Sequence, residues 1–405
     1  MREAWIIDVA RSPRGIPKEG KGSLVGIHPQ RLLSQILSAL EERNQLNNQD
    51  IEQAIIGCNN QQAEQGGSIA RMAALDAGWY ETSGSTVDHF CGSGMAASIM
   101  AATAVMADVQ DLVVSGGIEM PSMTSTYRLD TDRGNMHLRE MHPITGVGIS
   151  ADIIATEEGF SREDVDHYAA DSQQRACHAV ENGYFEKSLI PIFRDDGSLA
   201  TDTEELHRPG TTAEVLATLE PSFRAMMDYP MDEHHSFGDI ARMKWPNLDI
   251  DHVHHAGNSS VGADCASGVV IASSEYAKAH GLKPRAKIVS MAHAAGSPEY
   301  NLNEPCASAR KLLDRAGMAI GDIDLFEVNE AFAVVPLRFM RHLDVPHDQL
   351  NVNGGAIALG HPTGATGGVL LGVLLDELER RDLSTGLVTM CAAGGMAPGM
   401  IIERA

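Results

Sequence analysis

The chain has 405 residues, 43% hydrophobic and 21% charged, enough to fill one large core or two to three smaller ones, with no segment of disordered composition. A net charge of −24 argues against nucleic acid and anionic membrane surfaces as partners, although a local cation cluster or helix N-terminus would still hold an anionic cofactor. Six cysteines with no CxxC or zinc-finger spacing exclude a disulfide scaffold.

The first predicted element is the apolar strand AWIIDVARSP at 4–13. It lacks the basic region and long apolar run of an export signal. No apolar stretch approaches the roughly 20 residues that span a bilayer; the run GVLLGVLL covers 368–375. With free thiols and no targeting tripeptide in IIERA, the expected compartment is the cytoplasm. An amphipathic helix follows, with Leu32, Leu33, Ile36, Leu37 and Leu40 on one face. Asp50-Ile51 lead into a buried strand, AIIGC at 54–58. A small-residue helix is predicted after His89-Phe90-Cys91-Gly92-Ser93-Gly94, and the β-rich segment DLVVSGGIEM covers 111–120.

Residues 123–255 break the pattern. They are polar and irregular, with helix signals such as SREDVDHYAADSQQRACHAVE at 161–181, where Ser161 and Asp164 resemble a capping box. This stretch is either decoration or a lid and substrate cap. The opening series then returns. AKIVSMAHAA at 286–295 resembles the first strand, and Leu312, Leu313 and Ala316 form a second amphipathic face. Asp322-Ile323 lead into LFEVNEAF, and GLVTMCAAGGMAPGM closes the series at 386–400.

The offset between matches stays at roughly 270–280 residues, the mark of an internal repeat. Alternating strands and helices predict an α/β protein of two similar halves, each a mostly parallel sheet covered by helices, packed across a pseudo-twofold axis. The expected division is 1–122 plus 256–282 for the first half, 123–255 for an inserted loop or cap domain, and 283–405 for the second half.

Four fragments carry chemistry. Cys91 falls at a helix start, where the dipole and free N–H groups favour a thiolate nucleophile; a buried structural thiol is the competing reading. In NVNGGAIALGHPTGATG at 351–367, five glycines around His361 and Pro362 predict a tight loop that lets a substrate approach the backbone. A neutral His361 can activate a thiol or donate to an oxyanion. Cys391, at a strand end before small residues, is by itself more simply a packed thiol, and otherwise a second acid/base. Asn329, after LFEV, can hold a water or polarise a carbonyl.

Together the four fragments resemble the thiolase family. GGAIALGHPTGATG and CAAGGMAPGMIIER are similar to two of its signatures, and GGIEM at 116–120, AGNSS at 256–260, NEAFA and the segment beginning at Ser161 also match. The resemblance runs the length of the chain. It implies the thiolase fold, a five-layer αβαβα arrangement of two halves with an inserted loop domain. It implies acyl transfer between CoA thioesters: cleavage of a 3-oxoacyl-CoA by CoA, or the reverse condensation, through an acyl-cysteine. Cys91 corresponds to the acylated nucleophile and His361 to its activating histidine. Asn329 matches the residue that holds an oxyanion-hole water, and Cys391 the acid/base at the acetyl-CoA methyl. The backbone N–H groups of Cys91 and Ala393 form a second oxyanion hole, and Ser260 lies near the pantetheine.

No permanently bound cofactor is implied, with CoA a substrate, and the expected partners are acyl-CoA and CoA, in a homodimer or homotetramer or within a β-oxidation complex. A ketoacyl synthase-like condensing enzyme, which uses a cysteine with two histidines, and a non-catalytic thiolase-like subunit are the competing readings. The chain departs from the pattern at Ala393 and Val261, where glycine is common, at Val147, where methionine is frequent, and at Asp88-His89. Residues 224–255 look like an insertion. Its His234, His235, His252, His254 and His255 invite a metal reading, but no cysteine or carboxylate completes a known ligand spacing. An altered pocket rim and no metal are expected.

Overall fold

The computed structural model describes residues 2–124 and 131–405. The first half supplies strands β1 (Ala4–Arg11), β2 (Gln53–Gly57), β3 (Ser83–Val87) and β4 (Leu112–Glu119), and helices α1 (Pro29–Asn44), α2 (Ile69–Asp76) and α3 (Ser93–Met106). A middle stretch follows with helices α4 (Met136–Met141), α5 (Val147–Glu158) and α6 (Arg162–Glu181). It continues through the short strands β5 (Ile192–Phe193) and β6 (Leu199–Thr201), then α7 (Ala213–Leu216) and α8 (Phe237–Lys244). Strand β7 (Cys265–Ser273) and helix α9 (Ser274–His280) come next. The second half contains strands β8 (Ala286–Ala295), β9 (Leu325–Val328), β10 (Thr385–Thr389) and β11 (Met396–Arg404). Its helices are α10 (Pro305–Ala316), α11 (Val334–Leu343), α12 (Ala356–Leu359) and α13 (Thr366–Arg380).

Local sequence explains several of these elements directly. Helix α1 buries Leu32, Leu33, Ile36, Leu37 and Leu40, the periodic face the sequence presents. Helix α6 begins at a capping box, with Ser161 N donating to Asp164 at 2.8 Å and Asp164 N donating to Ser161 Oγ at 3.1 Å. Helices α3 and α13 are apolar or small on nearly every side, and both are buried throughout most of their length, as all-round apolar helices must be.

The main sheet runs β3-β2-β4-β7-β1-β8-β11-β10-β9. Apart from the extra edge strand β3, its order is symmetric about the β1–β8 contact. On either side an antiparallel central strand leads to an antiparallel neighbour and then to a parallel outer pair, β4 with β2 and β10 with β9. The repeat seen in the sequence is thus a repeat of topology. The halves are not mostly parallel as expected: β2–β3, β2–β4 and β9–β10 are parallel, and the remaining pairings of this sheet are antiparallel. The reason is connectivity. Strand β11 follows β10 after a tight turn, too short for the crossover that a parallel pair requires.

Helices α3 and α13 pack against each other and against strands of both halves. They share a core with Val9, Val113 and Val269 on one side and Val388, Met400 and Ile402 on the other. Helices α1 and α2 cover the outer face of the first half, and α10 and α11 that of the second. The layers therefore run helix, sheet, helix, sheet, helix. In the middle layer the two backbones nearly touch. A Cβ on Gly117 would lie 1.9 Å from the Gly364 carbonyl oxygen, and one on Gly367 would lie 2.1 Å from Met95 N. Glycine is required at both positions for this approach. Among the described residues, no helix is long and apolar enough to cross a membrane.

Candidate active site

Cys91 lies on the turn that carries β3 into α3. Phe90 just before it takes φ +50°, which a bulky residue adopts only under constraint. The constraint is a set of local hydrogen bonds. Phe90 N donates to Asp88 Oδ1 at 2.9 Å, His89 N donates to Ser93 Oγ at 2.8 Å, and Ser93 Oγ donates to the Phe90 carbonyl at 2.6 Å. The position at the helix start is as the sequence indicates, but the resting thiolate is not. Burial pushes the Cys91 thiol up to about 12, aided by the charges of Glu119 and Asp88, against the pull of the N–H groups of Cys91 and Ala393. Desolvation outweighs the helix terminus, so this thiol needs a base.

His361 is held in the glycine loop between α12 and α13. Gly360 takes φ +91° there, and a Cβ on it would strike Leu206 at 2.5 Å. His361 N donates to the Val261 carbonyl at 2.8 Å, which docks the loop on the AGNSS segment. The imidazole Nδ1 lies 2.8 Å from Thr366 Oγ1, and Nε2 lies 3.5 Å from Asn329 Nδ2. Burial lowers its pKa to about 4, so the ring is neutral near pH 7 and able to accept a proton. Asn329 is buried directly after β9, with its backbone N–H on the Thr389 carbonyl at 3.2 Å. Its side-chain Oδ1 has no hydrogen-bond partner among the described residues.

Cys391 begins the turn between β10 and β11. Ala392 and Met396 exchange backbone hydrogen bonds of 2.8 and 3.1 Å across that turn, and Gly394 and Gly395 take φ +78° and +71°. Ala393 stays outside the left-handed region, so its methyl group is tolerated where glycine is common. Cys391 is fully buried, and its thiol is raised well above the ordinary range by burial and by the charge of its neighbour Cys91.

A cavity of about 450 Å³ is lined by Cys91, His361, Ala393 and Ser260, with Val147, Phe223, Leu302 and Phe332 supplying its apolar wall. Asn329 and Cys391 sit behind this surface, beside His361 and Ala393. The six residues singled out in the sequence therefore converge from both halves. A further residue, Glu119 at the end of β4, lines the same cavity. It accepts hydrogen bonds from Asn59 N (3.0 Å), Asn60 N (3.2 Å), Gln65 Nε2 (2.9 Å), Thr363 Oγ1 (2.7 Å) and Gly364 N (3.1 Å). It ties the first half to the His361 loop. GGIEM signalled it only as a motif, because its five partners are scattered through the chain.

Of the five histidines at 234–255, four have ring nitrogens bonded to carboxylates. His252 and His254 bond Asp152 on α5 at 2.7 and 2.8 Å, His255 bonds Asp166 on α6 at 2.8 Å, and His235 bonds Asp232 at 3.1 Å. His254 also meets Phe332 edge-on, with ring centres 5.6 Å apart, so the insertion does reach the cavity wall. Among the described residues, no group of three or more His, Cys, Asp or Glu side chains is arranged to hold a metal ion.

A cysteine and a neutral histidine facing one cavity, with backbone N–H groups turned on the sulfur and a second thiol behind, define an enzyme of covalent acyl transfer. The family model for the thiolase N-terminal domain matches residues 4–226, and that for the C-terminal domain matches residues 282–404. Residues 227–281 lie between the two. The chain belongs to the thiolase family. It is 36% identical to a beta-ketoadipyl-CoA thiolase of Escherichia coli, over the full length of both chains. It is 34% identical to a steroid 3-ketoacyl-CoA thiolase of Mycobacterium tuberculosis, over all of this chain and 95% of the relative. The solved structure of the Bacillus anthracis acetyl-CoA acetyltransferase superposes with a TM-score of 0.85 at 30% identity, covering 100% of this chain and 99% of that one.

Proposed function

We propose that this thiolase works through an acyl-Cys91 intermediate and prefers apolar 3-oxoacyl-CoA substrates. The observation that carries the first part is the facing of Cys91, neutral His361 and the Ala393 N–H across one cavity. In cleavage, the Cys91 thiol passes its proton to His361 and its sulfur attacks the 3-oxo carbon. The bond between C2 and C3 then breaks. Its electron pair leaves as the enolate of acetyl-CoA, which takes a proton from Cys391. CoA next attacks the acyl-Cys91 thioester and gives its thiol proton to the Cys391 thiolate; Cys91 departs as thiolate, recovers its proton from His361, and the shortened acyl-CoA is formed. Condensation is the reverse, with Cys391 removing the methyl proton. Asn329 Oδ1, buried and unpaired among the described residues, is suited to hold a water that joins His361 in one oxyanion hole. The N–H groups of Cys91 and Ala393 form the other, and each well-placed donor is worth about 3–4 kcal/mol. CoA enters as a substrate, and no resident cofactor is invoked.

The acyl preference rests on Val147, Phe223, Leu302 and Phe332 in the cavity wall. Six free thiols suit a reducing compartment, in keeping with a cytoplasmic enzyme. Strand β3 ends the sheet with one edge unpaired, which supports pairing with a second copy as a homodimer. The test is labelling with radioactive acetyl-CoA. Wild-type protein should retain acid-stable label on Cys91, and Cys91→Ser should retain none; undiminished labelling of the variant would reject the nucleophile. In parallel, kcat/KM for medium-chain 3-oxoacyl-CoAs should exceed that for 3-oxoadipyl-CoA, and the opposite order would reject the acyl assignment.

A further inference from the structure

Asn301 lies between the short turn Pro298–Tyr300 and α10. It is fully buried and takes φ 58°, ψ −41°. That combination lies outside the allowed left-handed basin, and a residue with a side chain persists there only when its surroundings impose it. The surroundings are visible in its hydrogen bonds. Nδ2 donates to the Thr145 carbonyl at 3.2 Å and to Ser150 Oγ at 2.9 Å, while Oδ1 accepts from Gly394 N at 2.9 Å.

These bonds join three parts of the site. Thr145 and Ser150 flank Val147, and Leu302 follows Asn301; both Val147 and Leu302 line the cavity. Gly394 directly follows Ala393, whose N–H is turned on the Cys91 sulfur. Gly394 and Gly395 have no side chains to hold their own turn. Gly395 is instead pressed against the same segment: Gly296 N donates to its carbonyl at 2.9 Å, and a Cβ on it would lie 2.7 Å from the Ser297 carbonyl oxygen. Among the described residues, the side chain that grips the Gly394 N–H is Asn301, through Oδ1.

We propose that Asn301 is a positioning residue: its strained backbone aims Oδ1 at Gly394 so that the Ala393 N–H stays on Cys91. This rests on the reading of Ala393 as an oxyanion donor and Cys91 as the nucleophile. Loss of the grip should slow acyl transfer while leaving substrate affinity nearly intact, because the displaced group meets the developing charge and not the bound thioester.

The test compares Asn301→Ala, Asn301→Gly and Asn301→Asp in the full chain, by rapid-quench acylation with acetyl-CoA and by thermal melting. Asn301→Ala should acylate roughly ten- to a hundredfold more slowly with KM changed less than about threefold, the penalty expected of a slightly misplaced group. Asn301→Gly relaxes the backbone, so it should melt at or above Asn301→Ala yet acylate no faster. Asn301→Asp keeps an acceptor for Gly394 and should recover most of the rate. Acylation of Asn301→Ala and Asn301→Gly at the wild-type rate would overturn the proposal, as would Asn301→Asp no faster than Asn301→Ala. If wild-type protein is itself not acylated at Cys91, the underlying reading falls and takes the proposal with it.

Discussion

Two seams hold this molecule together, and they are built from opposite materials. The seam between the halves, where β4 and α3 meet α13 and the turn before it, is made of backbone against backbone at Gly117, Gly364 and Gly367. The seam between helices α5 and α6 and the segment 252–258 that leads on to β7 is made of buried ionisable side chains. Asp152 takes His252, His254 and two backbone N–H groups, and Asp166 takes His255, Asn258 and Arg162. The first seam fixes the distance between the Cys91 turn and the His361 loop, and glycine contacts of this kind have no side chain that can reorient. The second holds the AGNSS segment, which carries Ser260, through bonds that depend on protonation. The proposed catalytic residues thus sit on the rigid seam, and the segment that carries Ser260 on the titratable one.

The contrast breaks most sharply at Gly117. Gly117→Ala sets a methyl group 1.9 Å from the Gly364 carbonyl oxygen, and neither backbone can yield without moving the loop that presents His361. Overpacking of this kind costs about 3 kcal/mol. Displacing the His361 loop should also lower kcat roughly a hundredfold. Gly321, where an added Cβ meets nothing within 4 Å, is the control and should tolerate alanine. Urea melts and steady-state kinetics on both variants measure this. Normal activity in Gly117→Ala would mean that the seam does not set the site.

Asp152→Asn tests the other seam. The amide keeps the shape but cannot accept from two imidazoles and two backbone groups together, and losing hydrogen bonds to a buried charge costs about 2 kcal/mol. The loss should be local. Hydrogen exchange should speed up at residues 252–258 while α3 and α13 keep their protection, and KM should rise more than kcat falls. Uniform acceleration across the chain would show that the two seams are one cooperative unit.

Legibility followed the same division. Period and punctuation sufficed for the face of α1, the capping box of α6 and the repeated strands, because each is decided by residues within one or two turns of chain. The proposed catalytic residues stood out because each sits in a short fragment that resembles a family motif, and the structure brings those fragments together around one cavity. What did not show was long range. The sequence alone could not bring the insertion's histidines to Asp152 and Asp166 or Glu119 to Thr363. Nor did it show that the return strands β7 and β11 make the halves largely antiparallel. A helix start at Cys91 is visible in sequence, but the depth of burial that opposes its pull on the thiol is a property of the assembled halves.

The smallest predicted effect separates the seams by pH. Burial sets folded His361 at about 4 against an ordinary value of 6.5. The unfolded chain therefore binds a proton that the folded chain refuses, and the stability of the neutral buried ring, complete above pH 6.5, is lost as pH falls toward 4. Between pH 7 and pH 6 this amounts to about 0.7 kcal/mol. Asp152 and Asp166 run over a different window. Burial raises them, but their imidazole and amide bonds prevail and hold both below the usual 3.8, so their share is intact above that value and disappears only as pH falls beneath it. Between pH 7 and pH 6, urea melts should show wild-type protein losing more stability than His361→Gln by this increment, because His89, His293 and His347, also lowered by burial, contribute to both, while Asp152→Asn keeps the wild-type slope. An unchanged slope in His361→Gln would place the titrating group elsewhere and remove the pH distinction between the two seams.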